Sequence, residues 1–280
     1  IFTPYMNVNL AMKKISTGLF LLLCSFQAFS QDLFPHTQQK WVDSVFQSLS
    51  VEEKIGQLLM PRGNVADTYD TTRLYSIVKE YHVGGFVLFK GHPVKQAVLV
   101  NELQRRTKVP LFIGMDLEWG LAMRLDSTFR FPYQMTLGAM QGNNSLIEKM
   151  GLQIGEQCRR MGVHINYAPV VDVNNNPLNP VINFRSFGEN REDVTAKALA
   201  YMRGLQKAGV ITSAKHFPGH GDTGVDSHLD IPVLNHSRSR LDSLELYPYK
   251  ELISNGLQGV MVGHLNLPAL DTTASLASTL

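Results

Sequence analysis

Apolar runs alternate with amphipathic stretches along most of this chain. The apolar runs show little polar alternation, which is typical of strands buried on both faces of a parallel sheet. They occupy residues 57–61, 83–89, 111–116, 164–173, 211–216 and 259–264. Helix-like stretches separate them, at residues 70–81, 94–107, 145–161, 193–208 and 238–255. This order predicts βα units, with helices covering a parallel sheet.

Two further helices are predicted before the first of these units. Trp41 and Val45 recur at helical spacing within residues 37–49. Ser50 and Glu53 then form a capping box, which predicts the start of a second, short helix.

The start of the chain has the composition of a targeting segment. A basic beginning, a short apolar centre and small residues near Ser30 predict a secretory signal peptide over residues 12–30. Residues 1–11 are expected to be translated upstream sequence. The apolar run is shorter than a membrane anchor needs. We therefore expect residues 31–280 to be exported, as a periplasmic or secreted protein.

Polar side chains stand at the carboxyl ends of four predicted strands, namely Asp116, Asp172, Lys215 with His216, and His264. These ends form the active-site face of a (β/α)8 barrel, and they form the ligand edge of an open doubly wound sheet. A GxGxxG sequence does not follow the first strand, which disfavours a dinucleotide-binding fold. The six predicted strands would make about six of the eight βα units of a barrel, so we expect an incomplete α/β barrel.

Composition narrows the classes of function. The chain has 280 residues, of which 44% are hydrophobic and 18% charged, enough for a large core. The formal net charge is +2 and there is no dense Lys/Arg run, so nucleic acid is not expected as a partner. A neutral ligand such as a sugar fits this balance. The two cysteines, Cys24 and Cys158, suggest neither a disulfide framework nor a CxxC metal site.

Residues 215–228 concentrate the chemistry of the chain. They read KHFPGHGDTGVDSH, with three histidines, one lysine and two aspartates among three glycines. Asp226 can hydrogen-bond one ring nitrogen of His228, which leaves the other nitrogen to exchange a proton with substrate. An Asp-x-His triplet on its own more often has a structural role than a catalytic one. The nearby Lys215 favours the functional role. A lysine that closes an apolar strand needs partners, which favours a role in ligand binding.

This stretch resembles the KHFPGHGxTxxDSH signature of glycoside hydrolase family 3, in its NagZ-type β-N-acetylhexosaminidase branch. Other stretches resemble landmarks of the family in the right order, at residues 83–89, 113–116, 166–173, 185–188 and 260–264. The resemblance extends from about residue 49 to the last residues. It implies a (β/α)8 barrel and retaining hydrolysis of terminal β-linked N-acetylglucosamine, in peptidoglycan fragments or chitin-type oligosaccharides.

The same resemblance implies roles for individual residues. His228 would be the general acid/base and Asp226 its orienting partner, with no metal or cofactor. The residues that would hold the sugar are Asp116, Arg124, Arg185, Lys215 and His216. The nucleophilic aspartate of the family would lie beyond residue 280, so we expect this fragment alone to be inactive and a further domain to be possible in the complete protein.

The chain departs from the family pattern at residues 116–120. They read Asp-Leu-Glu-Trp-Gly, where the branch usually has Asp-Gln-Glu-Gly-Gly. Trp119 is therefore expected either to stack on a sugar face or to fill the core.

Three other functions remain open from the sequence. A metal-dependent hydrolase would use His216, His220, Asp222 and His228 as ligands, although their spacing is not that of an HExxH site. A non-catalytic sugar-binding protein would use the same pocket without turnover. A phosphorylase of the same family is the third, because a neutral imidazole repels an attacking phosphate less than a carboxylate does.

Overall fold

The computed structural model describes residues 36–65, 70–142, 144–225 and 231–271. It divides into two compact units, Ile1–Ser48 and Leu49–Leu280. The first is described by helix α1, His36–Ser48. The predicted signal peptide and the pair Asp226 and His228 lie outside the described residues. Within the described ranges no helix combines the length and apolar character that crossing a membrane requires.

The second unit is built on a six-stranded parallel sheet whose strands lie side by side in chain order. The strands are β1 Arg62–Val65, β2 Gly85–Gly91, β3 Phe112–Met115, β4 Ile165–Asn166, β5 Ile211–Phe217 and β6 Gly259–Val262. A doubly wound sheet reverses its strand order at the ligand site, whereas a (β/α)8 barrel does not. The sequential order confirms the barrel-type prediction, with six strands that do not close in the part of the chain described.

Helices connect the strands as the sequence predicts. They are α2 Val51–Gly56, α3 Thr72–Tyr81, α4 Pro93–Arg105, α5 Gln134–Gly138, α6 Asn144–Arg160, α7 Arg191–Lys207, α8 Arg238–Ser243 and α9 Tyr247–Ser254. The predicted capping box begins α2, since Ser50 accepts from the Glu53 N–H and the Glu53 side chain accepts from the Ser50 N–H. Two 3₁₀ turns, Leu121–Met123 and Asn183–Arg185, lie in the loops after β3 and β4.

The prediction of a first strand at residues 57–61 is wrong. Leu58 and Leu59 donate their main-chain N–H groups back to the end of α2, at 3.0 Å each, and continue the helix as turns. Their side chains are 84% and 50% exposed, so this apolar run is not buried among the described residues. The strand begins only at Arg62.

The fourth predicted strand is much shorter than residues 164–173. Only Ile165–Asn166 pairs as a strand, and Val170 forms a separate bridge to Lys215. Pro169, between them, has no N–H to donate to a ladder.

The long helix predicted over residues 238–255 is two helices, α8 and α9. Pro248 lies in the first turn of α9, where its missing N–H costs no helical hydrogen bond. The same residue would have broken a continuous helix.

Candidate active site

Three charged side chains meet where β3 and β5 end. Lys215, in β5, is 1% exposed. Its Nζ lies 2.8 Å from Oδ1 of Asp116, which follows β3, and 2.8 Å from Oε1 of Glu118. Glu118 is itself completely buried. Burying these charges is tolerable only because each has an opposite partner within hydrogen-bond distance.

Two arginines complete the charge pairing. Arg124 Nη2 lies 2.5 Å from Oδ2 of Asp116. Arg185 binds Glu118 through two bonds, Nη2 to Oε1 at 2.6 Å and Nε to Oε2 at 3.0 Å. This bidentate geometry fixes the guanidinium plane as well as its charge. The carboxylates of Asp116 and Glu118 are thus each held between two cations.

Asp172 anchors the neighbouring histidines. Its carboxylate lies 2.7 Å from His216 Nδ1, and it accepts main-chain N–H bonds from His216 at 3.2 Å and from His220 at 2.7 Å. Burial would raise the pKa of the Asp172 carboxyl, but His216 and the His220 N–H lower it below its ordinary value. One buried carboxylate therefore fixes both the ring of His216 and the path of the chain after β5.

The contacts of His216 define its tautomer. Arg185 Nη2 faces Nε2 of His216 at 3.3 Å, and a guanidinium group can only donate. We therefore assign Nε2 as the acceptor, which places the ring hydrogen on Nδ1, directed to Asp172. The His216 ring is therefore held on both sides, by Asp172 and by Arg185, and its Nε2 is the hydrogen-bond acceptor.

The charge pairs keep the two carboxyls ionised. Burial would raise the pKa of Asp116, but Lys215 and Arg124 outweigh it and hold that pKa well below the ordinary range. Burial would likewise raise the pKa of Glu118, but Lys215 and Arg185 lower it to about 2. The site is therefore a set of permanently charged, mutually neutralised groups at neutral pH.

Acid is expected to destabilise the protein between about pH 4.5 and pH 2. The folded state holds the Glu118 pKa at about 2 against an ordinary value of 4.5, so it binds fewer protons than the unfolded chain in this window. The stabilisation is complete above pH 4.5 and is lost as the pH falls towards 2, by about 3 kcal/mol for Glu118 alone. Urea unfolding midpoints measured against pH would show this decline.

Two variants test the origin of that decline. Glu118→Gln should reduce the slope between pH 4.5 and 2, leaving the part due to Asp116 and Asp172, while Glu80→Gln, on the exposed surface of α3, should leave the slope unchanged. Equal slopes for both variants would mean that Glu118 is not the titrating group.

Buried polar groups hold the turn after β3 in place. Asn166, in β4, accepts from the Leu117 N–H at 3.0 Å. Tyr201, in α7, donates to the carbonyl groups of Leu117 and Glu118 at 3.2 and 3.0 Å. Gln134, in α5, also donates to the Glu118 carbonyl, at 2.6 Å. The segment that carries Asp116 and Glu118 is thus tied to three neighbouring elements.

All five predicted sugar-holding residues are linked in one network: Asp116, Arg124, Arg185, Lys215 and His216. The predicted acid/base pair lies outside the described residues and stays a prediction. Sequence reasoning did not assign Glu118 or Asp172 to the site. The signal for Asp172 was its place at a strand end, whereas Glu118 has no signal beyond its nearness to Asp116.

Trp119, left open between two roles, packs in an aromatic cluster. Its ring lies 4.8 Å from the Tyr133 ring, edge to face, and 6.1 Å from that of Phe184. It is partly buried and also contacts the main hydrophobic core.

The described part of the chain contains no group of three His, Cys, Asp or Glu side chains arranged to hold a metal ion. His220, one of the candidate ligands, is 1% exposed and its Nδ1 lies 2.5 Å from Thr223 Oγ1. His216 is engaged by Asp172 and Arg185. Both ring nitrogens of His216 are therefore engaged within the protein, whereas Nε2 of His220 is buried and has no hydrogen-bond partner among the described residues.

A family comparison decides what kind of domain this is. The model of the "Glycosyl hydrolase family 3 N terminal domain" matches residues 50–280. The chain belongs to glycoside hydrolase family 3. The family resemblance stated from residues 215–228 is thereby confirmed, and this family 3 domain begins where the second compact unit begins, at about residue 49.

Several named proteins are similar to this family 3 chain. Beta-hexosaminidase A of Pseudoalteromonas piscicida is 35% identical over 80% of this chain and 42% of its own length. A solved family 3 β-N-acetylglucosaminidase from Paenibacillus sp. str. FPU-7 is 40% identical, with a TM-score of 0.76 over 82% of this chain and 44% of its own. The structure of the β-glucoside phosphorylase BglX bound to 2FGlc is 29% identical to this chain, with a TM-score of 0.79. The match covers 84% of this chain and 42% of that one. The chain thus spans less than half the length of each of these proteins.

Proposed function

We propose that the whole protein is a retaining glycosidase that removes terminal β-linked N-acetylglucosamine. The observation that carries this proposal is the buried network of Asp116, Lys215, Arg185 and His216 at the carboxyl edge of the sheet, in a family 3 chain. Two of the similar proteins are named as a β-hexosaminidase and a β-N-acetylglucosaminidase, which supports this sugar class.

The charges of the site suit an uncharged sugar. Three cations, Lys215, Arg124 and Arg185, balance three carboxylates, those of Asp116, Glu118 and Asp172. A neutral ligand leaves that balance intact, whereas an anion or cation would upset it in a low dielectric. Asp116 is 14% exposed at its side chain, so its oxygens remain available to sugar hydroxyl donors.

The proposed chemistry uses a histidine in place of the usual carboxylic acid. His228 gives its proton to the leaving oxygen while the nucleophilic carboxylate bonds to the anomeric carbon, and then, as a base, it takes a proton from the water that displaces this carboxylate and releases the sugar. Asp226 orients the ring and stabilises its charged form. We place the nucleophilic aspartate outside residues 1–280, in the portion of the protein that corresponds to the rest of the longer relatives.

The test is turnover by the whole protein of p-nitrophenyl β-N-acetylglucosaminide and of the matching glucoside. We expect the first substrate alone to be hydrolysed, and His228→Ala to lower kcat/KM at least 100-fold, because general acid/base catalysis is lost. His82→Asn is the matched control. His82 is exposed and ends α3 in a left-handed conformation that asparagine tolerates. It lies before the amino end of β2, whereas the proposed site lies at the carboxyl ends of the strands.

The outcomes are separable. Equal losses of kcat/KM in His228→Ala and His82→Asn would contradict the assignment of His228 as the general acid/base. No turnover of either sugar by the wild-type protein would contradict the glycosidase proposal and favour a non-catalytic sugar-binding protein.

Phosphorolysis is a second candidate for the same site. It is supported by the similarity to the β-glucoside phosphorylase BglX, at a TM-score of 0.79. The products distinguish the two reactions, since a hydrolase releases the free sugar with or without phosphate. A sugar 1-phosphate that forms only in the presence of phosphate would establish the phosphorylase.

A further inference from the structure

Residues 218–225, which follow β5, are held against the loop that follows β4. Two side chains of this segment are buried, those of His220 and Thr223, which are 1% and 2% exposed. Asn179, in the loop after β4, is 1% exposed and contacts both of them. Because buried polar groups are kept where they make hydrogen bonds, the partners of Asn179 indicate what it holds in place.

The side-chain amide of Asn179 links the two segments. Its Oδ1 accepts from the main-chain N–H groups of Val181 and Ile182, at 2.9 and 2.8 Å, and these groups can only donate. Its Nδ2 therefore faces the chain after β5, where it donates to the His220 carbonyl at 2.7 Å and lies 3.4 Å from Thr223 Oγ1. Asn179 thus shapes its own turn with one atom and holds the neighbouring segment with the other.

Thr223 holds the same turn from within the segment. Its Oγ1 donates to the His220 carbonyl at 3.0 Å and lies 2.5 Å from His220 Nδ1. The Thr223 carbonyl accepts from Asn176 Nδ2, in the loop after β4, at 3.3 Å. The chain is therefore fixed at His220 and again at Thr223, and Asp226 comes three residues later.

Main chain also packs directly on main chain between the two segments. A Cβ atom at Gly221 would lie 1.9 Å from the carbonyl oxygen of Val173, so only glycine fits this approach. The Asn176 N–H also donates to the Gly221 carbonyl, at 3.4 Å. Residues 218–225 therefore cannot move closer to the loop after β4, and the hydrogen bonds of Asn179 oppose movement away from it.

The loop after β4 serves both parts of the proposed site. It carries Arg185, which contacts Glu118 and His216 in the charged network. It also carries Asn179, which holds the chain that leads to Asp226. One loop thus relates the position of the sugar-binding network to the position of this chain.

We propose that Asn179 and Thr223 are positioning residues for the acid/base step. By fixing His220, they set where the chain continues towards Asp226 and His228. Both side chains are too deeply buried to contact substrate, so they act only through the chain that they hold. General acid catalysis requires the acid within hydrogen-bond distance of the leaving oxygen, and a small displacement is costly. This inference rests on the proposed function and identifies residues on which its acid/base step depends.

The dependence of rate on the leaving group reports the position of the acid. Phenolate is a poor leaving group that needs the proton of His228, whereas 2,4-dinitrophenolate leaves without one. In the whole protein, Thr223→Val should lower kcat/KM about 10-fold for phenyl β-N-acetylglucosaminide and less than about 2-fold for the dinitrophenyl substrate. Valine keeps the shape of threonine without its hydroxyl. Thr223→Ser, which retains the hydroxyl, should keep most of the activity towards the phenyl substrate.

Thr195→Val is the matched control for Thr223→Val. Thr195 is also buried, at 4% exposure, and its hydroxyl donates to the Arg191 carbonyl at 2.6 Å within α7. Its replacement should lower the urea midpoint but leave the ratio of the two kcat/KM values unchanged. The same unchanged ratio in Thr223→Val would mean that Thr223 has a structural role alone, and would overturn its assignment as a positioning residue.

Asn179→Asp tests the other half of the contact. The change keeps the acceptor for the turn of residue 179 but places a carboxylate oxygen against the His220 carbonyl. It should cause the same selective loss for the phenyl substrate, and the losses in the double variant with Thr223→Val should be less than additive, because both act through His220. Asn190→Asp makes the same change at the N-cap of α7, where aspartate is favoured, and should leave the ratio unchanged. Strict additivity of the two losses would contradict a common route through His220.

His228→Ala separates this inference from the proposed function. If His228→Ala shows the selective loss for the phenyl substrate while Thr223→Val and Asn179→Asp do not, the acid/base assignment stands and the positioning role fails. If His228→Ala loses both substrates equally, the acid/base assignment fails and the inference fails with it. Absence of turnover of either substrate by the wild-type protein would overturn both.

Discussion

Replacing Lys215 by methionine is expected to abolish the proposed glycosidase activity and to lower the free energy of unfolding by about 3–5 kcal/mol. Lys215 is 1% exposed and lies 2.8 Å from each of two carboxylates, those of Asp116 and Glu118. Methionine fills similar space but leaves those carboxylates facing each other with one cation fewer. The buried network then carries a net negative charge, and the pKa values of both carboxyls should rise.

The measurements for Lys215→Met are the urea midpoint at pH 7 and kcat/KM for the N-acetylglucosaminide. Lys207→Met is the matched control, because Lys207 forms a salt bridge with Glu148 but is 63% exposed. That variant should lose less than about 1 kcal/mol and keep its activity.

A double variant identifies the source of the destabilisation. Adding Glu118→Gln to Lys215→Met removes one of the unpaired carboxylates, so the two losses in stability should be less than additive. Strict additivity, or a loss for Lys215→Met as small as that for Lys207→Met, would mean that the charges do not interact as their distances indicate.

Local sequence signals were sufficient for most of the fold. The capping box at Ser50 marked the start of α2, and the apolar runs ending in Asp116 and Lys215 marked β3 and β5. These signals work because they depend on hydrogen bonds and burial within one element. The two wrongly predicted strands have a common cause. Leu58 and Leu59 are apolar but exposed among the described residues, and Pro169 interrupts a ladder inside an apolar run, so hydrophobicity alone misjudged both segments.

The site could be predicted in part for a similar reason. Asp116 follows β3 and Lys215 lies towards the end of β5, with β4 between them in the sheet, and parallel topology places the carboxyl ends of all these strands on the same side. Glu118 was missed because its role depends on Arg185, 67 residues away along the chain, and on the turn that buries it. A pairing of this kind has no periodicity in the sequence. The resemblance to family 3 supplied Arg124 and Arg185, which no local pattern distinguishes from surface arginines.

The described network links the two halves of the proposed site. Arg185 contacts both Glu118 and His216, so the carboxylate pair after β3 and the histidine at the end of β5 are not independent. His216 is in turn fixed by Asp172, which also holds the chain at His220, eight residues before His228. A substitution of Asp172 should therefore displace both the His216 ring and the chain at His220, where the proposed acid/base loop begins.

Asp172→Asn is expected to lower kcat/KM about 100-fold, because His216, which we place against the sugar, would take the opposite tautomer and lose its position. In the wild-type protein Nδ1 of His216 donates to Asp172 and Nε2 accepts from Arg185. An asparagine amide group facing Nδ1 would favour the opposite tautomer, whose Nε2 hydrogen would oppose the Arg185 guanidinium. The ring should turn away from both, and the His220 N–H should lose part of its acceptor.

Nitrogen NMR of the His216 ring distinguishes a tautomer change from general destabilisation. The wild-type protein should show a protonated Nδ1 and an unprotonated Nε2, and Asp172→Asn should exchange or average these signals. Asp242→Asn is the control, since Asp242 pairs only with Arg238 and Lys250 on α8 and α9 among its described salt bridges and is 38% exposed at its side chain. It should leave the ring signals and kcat/KM unchanged. If Asp172→Asn lost activity with the wild-type tautomer intact, the contribution of Asp172 would lie in holding the chain at His220 rather than in the ring of His216.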